Sequence, residues 1–226
     1  MYSAILLAGG KGTRMQKSVP KQYLLLAGKP VIIHSLERLD ELDEISEIVV
    51  VCEREYTATI TQLLTQYNIA KEVVFALAGQ TRQESVYNGL KKAKNSMVII
   101  HEAARPFATI NDFKRLIAAN SENALLGYSI PYTVVEGDKK LDGILDRSKL
   151  INVQLPQKFS KSELLQAHEK AFREGCKFTE DASLLFYYEK SNIEIVEGSN
   201  YNIKLTEALD MLIGEIIYKE YIARRR

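Results

Sequence analysis

Short uninterrupted runs of Val, Ile and Leu alternate along this chain with stretches in which apolar residues recur every three or four positions. That alternation limits the fold more than any other feature. Ile48-Val49-Val50-Val51 offers no polar position from which a solvent face could be built, so the strand Glu47–Cys52 must be covered on both sides. Similar runs predict strands at Ser3–Ala8, Glu72–Ala78, Met97–His101 and Asn192–Glu197. Between them, a helix from about Pro30 places Ile32, Ile33, Leu36 and Leu39 on one face, and the next aligns Tyr56, Ile60, Leu63, Leu64 and Tyr67. A helix from Thr81 carries Val86, Leu90 and Ala93, and another is marked by Ile110, Phe113, Leu116 and Ile117. Buried strands separated by amphipathic helices predict an α/β fold with a mostly parallel sheet flanked by helices. Toward the C-terminus, Ser160 with Glu163 reads as a capping box opening a helix, Thr179 begins another, and Leu205–Tyr218 closes the chain.

A chain of 226 residues buries one full core, so residues 1–226 are expected to form a single domain. The net charge of +1 excludes a broad electrostatic field for nucleic acid, and Arg224-Arg225-Arg226 reads as a solvated end. Cys52 and Cys176 belong to no CxxC pair, so neither a zinc site nor a redox dithiol is expected. The first strand begins almost at Met1 and no apolar run approaches about 18 residues. The expectation is a cytoplasmic protein of a reducing compartment, without a membrane partner.

Ligands of open parallel sheets bind beyond the carboxyl ends of the strands. The segments expected there are Ala8–Met15, Ala78–Ser85 and His101–Pro106, all rich in glycine, charge or hydroxyl. In the first, Leu7-Ala8-Gly9-Gly10-Lys11-Gly12-Thr13-Arg14-Met15, closely spaced glycines let bare main chain approach a polyanion, and Arg14 and Lys21 add two cations. A Walker loop is excluded because Gly-Thr-Arg stands where Gly-Lys-Ser/Thr is needed, and a dinucleotide fingerprint because Met15 replaces its third glycine. The loop is then either a tight connection after a first strand or, as the two spaced cations favour, the triphosphate site of a nucleotidyl-transfer enzyme. Gly79-Gln80-Thr81-Arg82-Gln83-Glu84-Ser85 suits a capped turn and a nucleobase equally. Glu102 and Arg105 form either a structural ion pair or a site for a phosphorylated, hydroxylated molecule, with Glu102 accepting from a hydroxyl or helping to hold a metal. His101 reads as a hydrogen-bonded structural residue.

From Ile130 the pattern changes. Pro131–Glu136, the polar tip Gly137-Asp138-Lys139-Lys140 and Leu141–Leu150 predict a β-hairpin arm too thin in apolar residues for a core of its own. Such an arm, residues 132–156, either lies on its own domain or packs on a partner subunit, and the favoured reading is the second, in a two-fold dimer.

Taken together, Ala8–Met15, Pro20-Lys21-Gln22, Arg82 with Ser85-Val86, Ala104–Phe107, Asp146-Arg147, Pro156-Gln157, Thr179 with Ala182-Ser183, and Glu197-Gly198 with Asn202-Ile203-Lys204 resemble the methylerythritol phosphate and ribitol-5-phosphate cytidylyltransferases. The match runs in order over nearly the whole chain. It implies a Rossmann-like nucleotidyltransferase fold and a homodimer clasped by the arm. The implied reaction joins CMP from CTP to a small polyol phosphate with Mg²⁺, for isoprenoid biosynthesis or for a teichoic acid or capsule. By the same resemblance Arg14, Lys21 and Lys204 are catalytic. Ala8, Gly9, Gly10, Lys11, Gly12, Thr13, Gly79, Gln80, Arg82 and Ser85 hold CTP. Glu102, Arg105, Thr133, Arg147 and Thr179 surround the acceptor, Thr133 and Arg147 reaching it from the neighbouring subunit. Glu102 stands where the family carries aspartate, Tyr132-Thr133 where it carries Asp-Thr, and Leu155 where it carries threonine. These departures all fall on the acceptor side and leave the acceptor open between methylerythritol phosphate and another polyol phosphate. A sugar-1-phosphate nucleotidyltransferase using a different nucleotide and a non-catalytic nucleotide-binding relative are the alternatives.

Overall fold

The computed structural model describes residues 1–10 and 19–223. In chain order these form β1 (Tyr2–Leu7), β2 (Leu25–Leu26), β3 (Lys29–Pro30), α1 (Val31–Glu41), β4 (Ile45–Cys52), α2 (Thr57–Gln66), β5 (Glu72–Leu77), α3 (Arg82–Lys92) and β6 (Met97–Glu102). There follow α4 (Ile110–Ile117), β7 (Asn123–Ser129), β8 (Val135–Gly137), β9 (Leu141–Ile144), β10 (Ile151–Ser160), α5 (Lys161–Glu174), α6 (Asp181–Glu189), β11 (Ile193–Glu197) and α7 (Ala208–Ile217). A seven-stranded sheet in the order β11-β7-β10-β6-β1-β4-β5 organises the chain. Every strand in it but β10 runs the same way.

The two-sided burial predicted for the strands is realised in β1, β4 and β6, whereas β5 and β11, at the two edges of the sheet, are only partly covered and leave Leu77 and Ile195 exposed. Ala4, Leu6, Ile48, Val50 and Cys52 face a core closed by Ile32, Leu36, Ile60, Phe113 and Leu116 of α1, α2 and α4. Their neighbours Ile5, Val49 and Val51 face a second core closed by Val86, Leu90, Leu164, Ala167 and Leu185 of α3, α5 and α6. Successive side chains point to opposite faces of a strand, so an all-apolar run feeds both layers at once. Cys52 is a buried core residue, as its place in the run predicts.

Several boundaries follow other forces than those the sequence suggests. Ser160 makes no side-chain cap for α5; its N–H donates to Asn123 Oδ1 at 3.0 Å, and Glu163 accepts from Asn123 Nδ2 and Ser191 instead of closing a capping box. Glu180, not Thr179, caps α6, accepting from the N–H groups of Ala182 and Ser183 at 2.7 Å. The closing helix begins at Ala208, and Leu205 lies before it in a small cluster with Leu26, Val31, Phe107 and Ile217. Leu209, Leu212, Ile213 and Ile216 of α7 are exposed, because the helix leans on that cluster through its other face, with Met211, Gly214 and Ile217.

The hairpin exists as β8 and β9 and carries no core. Ile151–Pro156 belongs to β10, so the stretch standing clear of the sheet is shorter than residues 132–156. β10 pairs antiparallel with β6 and β7, and its register shifts between Gln154 and Gln157, where Pro156 cannot donate to the ladder. Lys158 is buried in this strand with its ammonium on the carbonyls of Ile117 and Ala119, the orphan acceptors at the end of α4. Among the described residues no helix is long and apolar enough to cross a membrane.

Phe113 fills the first core and meets the His101 ring edge-on, with centroids 5.2 Å apart. Phe113→Ala is expected to destabilise the fold by about 3–5 kcal/mol, read as a lower urea midpoint at unchanged slope.

Candidate active site

The strand order reverses at β1. The chain runs outward through β4 and β5, then returns to lay β6 against the other edge of β1. At such a point the loops leaving neighbouring strands diverge and open a crevice. A cavity of about 760 Å³ lies there, walled by the segments after β1, β5 and β6. The three loops expected to share a site do share one, to the extent that the first is described. Ala8, Gly9, Gly10, Lys21, Gly79, Gln80, Arg82, Ser85, Glu102 and Lys204 all line it. Lys11, Gly12, Thr13 and Arg14 lie outside the described residues.

Gly9 is required by space. A Cβ there would overlap the Ala78 Cβ, so the first loop crosses the end of β5 only as bare backbone. Gln22 then fastens this loop, donating from Nε2 to the carbonyls of Ala8 at 2.6 Å and Gly10 at 3.1 Å. The 3₁₀ turn Lys21–Tyr23 that carries Gln22 also buries most of Lys21 in the cavity wall. Gln22 is a site residue that the motif contained and sequence reasoning gave no role.

The second loop is stitched from within. Thr81 caps α3 by accepting from Glu84 N at 3.1 Å, as the pattern predicts. Ser85 Oγ accepts from Gly79 N at 3.0 Å and donates to Thr81 O at 2.9 Å, and Glu84 Oε2 accepts from Gln80 N at 2.8 Å. A Cβ at Gly79 would overlap the Glu84 side chain. Ser85 therefore shapes the loop as well as lining the cavity.

Glu102 is the electrostatic centre of the third side. Its Oε1 accepts from Arg82 Nε at 3.0 Å, and its Oε2 lies 2.7 Å from Lys204 Nζ and 4.0 Å from Arg105 Nε. Burial alone would raise its carboxyl, but Lys204, Arg82 and Arg105 outweigh burial and hold it down to about 2. Arg82 reaches past Glu102 to Asp181, with Nη2 2.7 Å from Oδ2. Burial works against the Arg82 charge, and the two carboxylates more than restore it. Asp181 is likewise depressed to about 2: burial opposes its charge and Arg82, seconded by His168, wins. Arg105 donates to the Asn202 carbonyl at 2.9 Å, and Asn202 Nδ2 donates to Leu155 O at 2.7 Å. The Asn202-Ile203-Lys204 segment is thereby tied to β10 beside the cavity.

The Glu102–Arg105 pair is thus real but loose, and Arg82 is the tighter partner. His101 is structural, as expected: it is buried and its Nε2 meets the Arg105 carbonyl at 3.1 Å. Thr133, Arg147 and Thr179 are not among the residues lining the cavity. Arg147 lies on the hairpin arm and donates to Pro131 O at 3.1 Å. No group of three or more His, Cys, Asp or Glu suited to a metal occurs among the described residues. Glu102, surrounded by three cations, sits in a field that repels a divalent ion.

The family model described as 2-C-methyl-D-erythritol 4-phosphate cytidylyltransferase matches residues 2–220. The protein of that name from Geobacillus thermodenitrificans is 39% identical over 229 residues, covering 98% of this chain and 99% of the relative. The chloroplastic protein of that name from Oryza sativa is 38% identical over 224 residues, covering 96% of this chain and 74% of the relative. The crystal structure of 4-diphosphocytidyl-2C-methyl-D-erythritol synthase from Anaerococcus prevotii superposes with a TM-score of 0.86 at 26% identity, covering 97% and 96% of the two chains.

The buried groups fix a pH response. Burial holds His101 down to about 3 and His34 down to about 4, so both rings stay neutral in the folded chain while the unfolded chain takes up protons below its ordinary histidine range. Stability from these rings is complete above about pH 6.5 and is lost as the pH falls toward 4 and 3. Glu102 and Asp181 add a second loss from about pH 4.5 down through about 2. Urea titrations between about pH 5.5 and 4.5 are expected to show a slope of about two protons, and His101→Gln reduces it to about one.

Proposed function

The chain belongs to the 2-C-methyl-D-erythritol 4-phosphate cytidylyltransferase family, and from that premise we infer that it transfers CMP from CTP to 2-C-methyl-D-erythritol 4-phosphate. One observation carries the reading: a cavity at the reversal of strand order joins the glycine loop, Lys21 and the Lys204–Glu102–Arg82 group. An oxygen of the acceptor phosphate attacks the α-phosphorus of CTP in line. A new P–O bond forms as the bond to the bridging α–β oxygen breaks, and pyrophosphate carries away that electron pair. The attacking phosphate is already anionic at neutral pH, so no general base is needed, in keeping with a cavity that presents cations and carboxylates. Two anions must be brought together and the charge gathering on the leaving pyrophosphate must be met by fixed cations. Lys21 serves the leaving group together with Arg14. Lys204, at the mouth of the acceptor side, meets the α-phosphate, and the turn around Gly79, Gln80 and Ser85 takes the cytosine and its ribose. Glu102, one methylene longer than the family's aspartate, accepts from an acceptor hydroxyl.

Mg²⁺ belongs to this reading as an ion carried in on the triphosphate. The described residues offer no carboxylate cage for it, and a small hard cation that keeps phosphate and water oxygens around it needs none. Bound, it would neutralise charge on the phosphates that Lys21 and the glycine loop hold. Glu102 does not fit as its ligand, because the cations around that carboxylate already satisfy it.

The arm supports a homodimer. Tyr132, Leu141 and Ile144 are 75%, 65% and 84% exposed, an apolar surface that a single chain leaves wet. In a two-fold pair that surface is covered, and each arm delivers Thr133 and Arg147 to its neighbour's acceptor pocket.

Lys21→Ala is expected to lower kcat by about 10²-fold or more, as removal of a donor from a developing oxyanion does, measured by pyrophosphate release with CTP and 2-C-methyl-D-erythritol 4-phosphate. Unchanged kcat, or wild-type preference for UTP or GTP, counts against the assignment. The double change Leu141→Ser with Ile144→Ser should convert dimer to monomer in sedimentation equilibrium and depress turnover in parallel. A monomeric variant of undiminished activity would remove the arm from the reaction.

A further inference from the structure

The geometry points to Asp181 as a positioning residue for the acceptor: it holds Arg82 as a rigid strut against Glu102, although it does not itself line the cavity. The inference deepens the reading above and rests on it. Arg82 belongs to α3, Glu102 to the end of β6 and Asp181 to the first turn of α6, so one guanidinium ties three elements together. Its fork is divided between them, with Nε on Glu102 Oε1 at 3.0 Å and Nη2 on Asp181 Oδ2 at 2.7 Å. Division of this kind holds the guanidinium between the two carboxylates, whereas a bidentate pair with Glu102 alone would set it at a different angle.

Asp181 is a firm anchor. It is 1% exposed, and its second oxygen lies 3.6 Å from Nε2 of the fully buried His168. Tyr87 and Phe172 pack around that imidazole, with ring centroids 6.3 and 6.1 Å from it. The wall behind Asp181 is therefore aromatic and closed, and its charge has only Arg82 and His168 to answer it among the described residues. On the other side of the strut, Glu102 Oε1 is consumed by Arg82, which leaves Oε2 turned to Lys204. Without the pull of Asp181, Arg82 can take both Glu102 oxygens in a bidentate pair and draw Oε2 away from Lys204. The distance from the acceptor hydroxyl to its acceptor atom and the position of the Lys204 ammonium then change together. CTP keeps the glycine loop, Lys21 and the turn around Gly79, Gln80 and Ser85, whose internal hydrogen bonds involve neither Arg82 nor Asp181, so its KM moves far less than the acceptor's kcat/KM.

The test is a double-mutant cycle on the full-length enzyme, assayed by pyrophosphate release with CTP and 2-C-methyl-D-erythritol 4-phosphate as separately varied substrates. Asp181→Asn should lower kcat/KM for the acceptor by about 10- to 100-fold, with KM for CTP changed by less than about threefold. Placed on Glu102→Gln, it should cost no more than about twofold further, because its effect travels through Glu102. Arg82→Lys cannot span two carboxylates and should reproduce the loss; it also serves as the probe if Asp181→Asn is recovered unfolded. Full multiplication of the Asp181→Asn and Glu102→Gln effects overturns the inference, as does an equal loss of kcat/KM for both substrates or an acceptor kcat/KM unmoved by Arg82→Lys. Wild-type enzyme that transfers no CMP to this acceptor overturns the proposed function and this inference with it. A competent wild type with any of the preceding results overturns the inference alone.

Discussion

The structure depends on a strand that has no side to show to water. Ile5 of β1 faces one helical layer while Ala4 and Leu6 face the other, so β1 is stable only between two layers and between two strands. A strand placed so is the natural seed of the sheet, and the chain grows away from it in both directions, to β4 and β5 on one edge and to β6 on the other. The reversal separates the loops that leave β1 and its neighbours, and the separation is the cavity. Burial of apolar area in the core and the opening at its carboxyl edge are one consequence of the same topology.

What could be read from the sequence follows from how local each signal is. Val49 and Val51 announce a two-sided strand because the information lies within a few residues, and the helical stripes of α1 to α4 are local in the same way. β10 was not legible as a central strand. It contains Pro156, buried Gln157 and buried Lys158, three residues that argue against that placement; Lys158 is answered only by the carbonyls at the end of α4, and the Gln157 amide by the Gln154 carbonyl of its own strand. Ser160 has the composition of a cap, yet Asn123, distant in sequence, takes its N–H. Glu180 outcompetes Thr179 as the cap of α6 because a carboxylate accepts from two N–H groups at once.

The site divides along the same line. Which loops meet was legible, since in a parallel sheet the carboxyl-edge rule places them on one side. Which side chains hold one another was not. Arg82, read as a nucleotide ligand, lines the cavity but is engaged by Glu102 and by Asp181, a residue 99 positions away. No spacing in the sequence reports such a contact. The Thr-Glu-Asp-Ala-Ser segment contained the signal only as a run of hydroxyls and carboxylates beside a helix start, where the bland capping explanation already sufficed. Gln22 is a similar case, its amide spent on the carbonyls of Ala8 and Gly10.

The presence of carboxylates in a site suited to anions has a physical reason. Arg82, Arg105 and Lys204 stand at one wall, and Arg82 and Arg105 are largely withdrawn from water there. Unpaired, these cations would repel one another and the buried guanidinium groups would lack compensation, which a folded chain tolerates poorly. Glu102 and Asp181 supply that compensation from two directions, and their strongly lowered carboxyl pKa values express the same attraction from the other side. The cations nevertheless outnumber the carboxylates within this group, so the wall keeps a positive excess toward the cavity. A phosphate approaching it meets positive side chains already fixed in place, and the reorganisation that water would otherwise impose has been met in folding.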